Sequence, residues 1–126
     1  MGSLPRLQAI CDHWATTIKA VAVLVAICFC TSASAGSVTG ATITSIYLGN
    51  SYGSLVFIQT SVAKTGNPSC STNGTWGFVL PLTTALENQM LAVVLSARAT
   101  GATVTLTGSG VCDTYSTVET LENITY

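Results

Sequence analysis

The sequence predicts a mainly β domain with one helix, set behind a removable export leader. Three observations predict it. An N-terminal apolar run with basic residues ahead of it ends in small residues. Beyond it, β-branched and aromatic runs alternate with Gly, Asn and Pro clusters. In their midst lies one well-marked helix start, at Thr84.

The leader comes first. Arg6 and Lys19 precede a charge-free apolar stretch over residues 20–30, and a small-residue run closes with Ala33, Ser34 and Ala35. A basic start, about ten apolar residues and an Ala-x-Ala end make a secretory signal, cleaved after Ala35. A spanning helix needs about 20 apolar residues, so this run is too short for an anchor. Ile27 and Phe29 precede Cys28 and Cys30, where a lipoprotein acylation site would need small residues. The expected organisation is a signal peptide over residues 1–35 and a single domain over 36–126, secreted or periplasmic, with no membrane span in the mature part.

The charges of residues 36–126 are Lys64 and Arg98 against Glu87, Asp113, Glu119 and Glu122. Nucleic-acid backbones are held by clustered Lys and Arg, so that balance excludes a nucleic-acid partner. The lone histidine, His13, falls in the leader. The mature domain therefore lacks the imidazole of Ser–His and Cys–His nucleophile pairs and of common zinc sites. Glu119 and Glu122 point to opposite faces of a strand and cannot form the facing carboxylate pair of a glycosidase. With neither a phosphate-cradling glycine loop nor a calcium-loop pattern, the expectation is a protein without catalysis, cofactor or metal. Two cysteines remain, Cys70 and Cys112. In an oxidising compartment they are expected to pair, closing a loop of about 42 residues worth about 4 kcal/mol in the chain-entropy model. Two free thiols are the alternative.

Along the mature chain, residues 41–48 read as a strand, residues 49–53 as a turn and residues 54–60 as the returning strand of a hairpin. Residues 64–75 are loop, with turn signals at Gly66-Asn67-Pro68 and Asn73-Gly74. Residues 76–80 form a short third strand stopped by Pro81. Thr84 and Glu87 have the spacing of a capping box, which starts a helix over 85–99 that Gly101 ends. Leu86, Met90, Val93, Val94 and Ala97 form its core stripe, with Leu91 and Leu95 on a neighbouring flank. Residues 102–107 alternate cleanly as a fourth strand, and 118–126 form the fifth. The order β-β-β-α-β-β is that of the OB fold, a five-stranded Greek-key barrel. An open sheet with one covering helix gives the same order, but leaves edges that closure removes.

What such a surface offers is binding chemistry. Sugars are held by aromatic faces under their C–H groups and by hydroxyls and amides around the ring. Tyr47, Tyr52, Trp76 and Tyr115 lie among Ser, Thr and Asn in the turns and loops. Trp76 reads first as a core plug and second as a sugar platform, whereas Tyr115 sits beside Cys112, where a disulfide would rigidify a site.

Ser69-Cys70-Ser71, Trp76, the Leu86, Gln89 and Leu91 positions of the helix, and Thr100-Gly101 followed by Val104 and Leu106 resemble the binding subunits of the subtilase cytotoxin group. Ile43, Ile46 and Gly49 fit the first strand and turn of that family. The resemblance spans residues 39–106. It implies an OB-fold protomer, a ring of five with helices lining the pore, a catalytic toxin subunit as partner, and recognition of sialylated glycans. By position, Thr39 stands for the serine with which that family grips the sugar. The family's acidic partner to that serine falls near Ala35 and is missing, and strand two lacks the family's cysteine.

The expected function is thus a secreted, non-catalytic glycan-binding subunit of bacterial-toxin type. It would act as a homo-oligomer through the 85–99 helix, with Thr39, Trp76 and Tyr115 as ligand contacts. The alternative is a small secreted structural or protein-interaction domain of the same fold, without sugar recognition.

Overall fold

A computed structural model describes residues 34–126. Apart from Ser34 and Ala35, the expected leader lies outside the described residues. The mainly β character with one helix holds. The elements are β1 (Ser37–Leu48), a 3-10 turn at Asn50–Tyr52, β2 (Leu55–Thr60), β3 (Phe78–Pro81), α1 (Ala85–Thr100), β4 (Thr103–Gly108) and β5 (Glu119–Thr125). The strands close in the order β1-β2-β3-β5-β4, so β4 returns to β1.

β1 makes the closure. Its later half pairs antiparallel with β2, from Ile43 opposite Thr60 to Leu48 opposite Val56, while its first half pairs antiparallel with β4. Irregularities after Val38 and after Ile43 break both registers. Such bulges bend a strand and raise its twist, which lets one strand serve two neighbours. β3 runs parallel to β5, and every other pair is antiparallel.

Alternation along the strands sorts the side chains to two faces. Val38, Ala41, Ile43, Val56, Ile58, Phe78, Leu80, Val104, Leu106 and Leu121 fill the main core, together with Met90, Val94 and Ala97 of α1. Phe57 and Val79 lie out of phase with these and form a second core with Val118, under Leu55, Trp76 and Tyr115. Both faces of β2 and β3 are therefore covered, one by the core and the other by loops.

α1 begins as its sequence dictates. The Thr84 hydroxyl accepts from the Glu87 N–H, and the Glu87 carboxylate accepts from the Thr84 N–H. The Thr83 hydroxyl also donates to that carboxylate and, with the backbone donors, holds its pKa below the ordinary value. Gly101 ends the helix at φ 67°, a left-handed conformation that favours glycine. The core stripe is turned from the expected one. Leu86, in the first turn, is 65% exposed and Val93 is half-buried, whereas Leu91 packs against the core. The buried set 90, 94 and 97 points the helix axis between those residues and Leu91, leaving Leu86 on the outer edge.

Candidate functional site

Strand register assembles the site. Tyr47 of β1 stands opposite Phe57 of β2, and Phe57 opposite Val79 of β3. These three share the outer face of the sheet. The turn after β1 brings Tyr52 to the same face, where its ring meets Phe57 at 5.1 Å and Tyr47 at 5.8 Å between centroids. Trp76, just ahead of β3, lies 6.0 Å from both Tyr47 and Phe57. Tyr115 arrives from the β4–β5 loop and stands edge-on to Phe57 at 5.0 Å and to Tyr52 at 5.8 Å. Edge-to-face and tilted arrangements at these spacings are the favoured ones for aromatic pairs.

The five rings and Asn73 line an open hollow of about 180 Å³. A second hollow of about 340 Å³ adjoins it, shares Asn73 and Trp76, and adds Gln59, Thr60, Asn67, Ser71 and Thr75. One hollow is aromatic and the other amide- and hydroxyl-rich.

Local chemistry fixes the rim. Asn73 Oδ1 accepts from the N–H groups of Thr75 and Trp76, both at 2.9 Å, in an Asx turn that sets the indole in place. The N–H groups of Thr72 and Asn73 donate to the Thr117 carbonyl, and Val118 N–H donates to the Tyr115 carbonyl. The disulfide between Cys70 and Cys112, Cα atoms 6.0 Å apart, joins the two loops covalently. Asp113 Oδ1 accepts from the Thr120 hydroxyl at 2.6 Å and from Thr114 N–H at 2.9 Å. The Thr120 bond comes first among the causes that hold the Asp113 carboxyl below its ordinary value.

Beneath the rim lies an ion pair that the reading of the sequence missed. Glu119 is fully buried and the Lys64 side chain is 6% exposed, with Nζ 2.7 Å from Oε2. Lys64 spends its other donors on Ser71 Oγ and the Gly77 carbonyl, both at 2.9 Å, and its ammonium lies 4.8 Å from the centre of the Phe78 ring. Glu119 Oε1 accepts from the N–H groups of Gly36 and Gly110, each at 2.8 Å. Buried charges persist when paired and hydrogen-bonded in this way. The network ties the start of β1 and both rim loops to β5. Lys64 is thus committed to the frame, although its side chain also lines part of the larger hollow.

Of the residues expected at the site, Trp76 and Tyr115 come together. Thr39 does not join them: it is exposed where the β1–β4 register slips and lines neither hollow. Phe57 and Asn73 were not expected at the site. Phe57 was legible as the aromatic out of phase with Val56 and Ile58. The Asn73 role depends on a turn geometry that Asn-Gly alone does not specify.

No protein-family model matches the chain, and no curated protein or solved structure does either. The site therefore has to be read from its own chemistry.

Proposed function

We propose that residues 36–126 form an exported OB-fold domain that binds glycans without catalysis, of the kind that serves as the binding subunit of a toxin. The observation that carries this reading is the convergence of Tyr47, Tyr52, Phe57, Trp76 and Tyr115 with Asn73 around one open hollow, on a rim braced by a disulfide. Aromatic faces suit the C–H side of a sugar ring, and the adjoining amides and hydroxyls suit its OH groups. The OB-fold assignment is supported by the closed order β1-β2-β3-β5-β4, the parallel β3–β5 pair, and a helix between β3 and β4. A non-catalytic role is supported by the commitment of three carboxylates to structure: Glu87 to the cap, Asp113 to Thr120, and Glu119 to Lys64.

The resemblance to subtilase cytotoxin binding subunits adds sialylated termini as the ligand class and a catalytic subunit as the partner. The hollow itself calls for a pyranose face flanked by hydroxyls. An array carrying sialylated glycans and their asialo counterparts, probed with the exported protein, separates the two specificities. Binding is expected to fall about fivefold in Tyr115→Ala and in Trp76→Ala, the loss of about 1 kcal/mol of ring contact in each. The more exposed Tyr52 gives a third variant, Tyr52→Ala, at a ring that covers Phe57 from outside. Absence of binding by the folded wild-type protein, or binding indifferent to all three substitutions, ends the proposal.

A further inference from the structure

The backbone nitrogen of Gly36, the residue that follows the expected cleavage point, donates to a fully buried carboxylate, Glu119 Oε1, at 2.8 Å. Its carbonyl accepts from Gly108 N–H at 2.8 Å, so the residue is held from both sides. A Cβ at position 36 would run into Glu119 Oε2 and the Lys64 stem, so any larger residue there has to displace the ion pair. Gly36 is buried, but Ser34 and Ala35 immediately before it are exposed. The change from exposed to buried chain falls at the Ala35–Gly36 bond, so a peptidase has to act there before Gly36 is enclosed.

We propose that cleavage after Ala35 creates an α-ammonium at Gly36 that seats on Glu119 and completes a buried charge network with Lys64. This rests on the export part of the proposed function and is independent of glycan recognition. The step is hydrolysis by a leader peptidase. Water adds across the Ala35–Gly36 amide, the carboxylate leaves with Ala35, and the amine stays on Gly36 and takes up a proton. Before cleavage Glu119 faces one cation and two neutral amides; afterwards it faces two cations. Departure of the exposed Ala35 opens that side of the nitrogen, so water can satisfy the added N–H groups. Charge-assisted hydrogen bonds of this kind are about twice as strong as neutral ones. Removal of the leader therefore tightens the link between the start of β1 and β5.

Residues 36–126 contain one lysine, Lys64, so the processed domain carries two amines. This makes the test direct. The full chain is expressed in a secreting host, the exported product is sequenced from its N-terminus, and its amines are acetylated with an N-hydroxysuccinimide ester. The product is expected to begin at Gly36. Its α-amine should acetylate roughly tenfold more slowly in the native protein than in guanidinium, and Glu119→Gln should remove much of that protection. The wild-type comparison stands alone if the variant does not fold. A product beginning elsewhere overturns the seat while leaving export intact. A retained leader overturns both, and equal native and unfolded rates overturn the ion pair.

Discussion

Lys64 and Glu119 set the largest single-residue sensitivities of the domain. The Lys64 ammonium has three oxygen partners and the fully buried Glu119 carboxylate three donors. Removing Glu119 leaves the Lys64 ammonium without its counter-charge, at a cost of about 3–5 kcal/mol. Glu119→Gln is therefore expected to lower the unfolding free energy by that amount in urea titration, a large share of the total for a domain of this size. A loss under about 1 kcal/mol would instead place the pair in water. Replacing both partners with apolar residues does not restore stability, because Gly36 and Gly110 then lose their acceptor, at about 1–3 kcal/mol for each orphaned buried N–H. Half of this arrangement was legible. Glu119 has the same parity as Leu121, so a carboxylate facing inward follows from the alternation of β5. Its partner lies in a loop, and only closure of the barrel brings position 64 to position 119. The same limit hid Asn73, whereas the Thr84–Glu87 box was fully written in the sequence because capping is local chemistry.

At the scale of elements, the five strands and the helix follow from runs and punctuation, and their edges follow from partners. β1 starts four residues ahead of the expected position, at Ser37, because β4 supplies a ladder there. β3 starts two residues late, at Phe78, because Trp76 belongs to the Asx turn. Neither shift has a local signal. The two loops between which the hollow's rim is built have little regular structure of their own, and the Cys70–Cys112 bond closes 42 residues around them. Its reduction is expected to lower stability by about 4 kcal/mol in the chain-entropy model. Urea unfolding with and without reductant measures this, and Cys70→Ser/Cys112→Ser provides the check free of reagent. Ligand binding should weaken with it, because Tyr115 and Trp76 sit on opposite sides of the tie. An unchanged midpoint would mean that hydrogen bonds from Thr72 and Asn73 to Thr117 suffice to hold the rim.

For the whole molecule, the question is what α1 does with the apolar surface it leaves outside. Leu86 is 65% and Leu95 47% exposed. They are nine residues apart, and at about 100° per residue that puts them on opposite flanks of the helix. A two-fold dimer uses one self-complementary patch, whereas a ring brings one patch of each copy against a different patch of the next. We propose that these two flanks meet between neighbouring copies in a ring, as the resemblance to toxin binding subunits implies. In a ring every interface uses both flanks, so a charge on either flank disrupts all of them. Light scattering of the exported protein is accordingly expected to give several times the protomer mass, and Leu86→Lys and Leu95→Lys should each yield monomer. Both sites are solvent-facing in the protomer, so the variants should keep the wild-type unfolding free energy to within about 0.5 kcal/mol. A wild-type monomer at high protein concentration, or an assembly that only one of the two substitutions dissolves, would rule the ring out and leave the helix as a plain cover for the barrel.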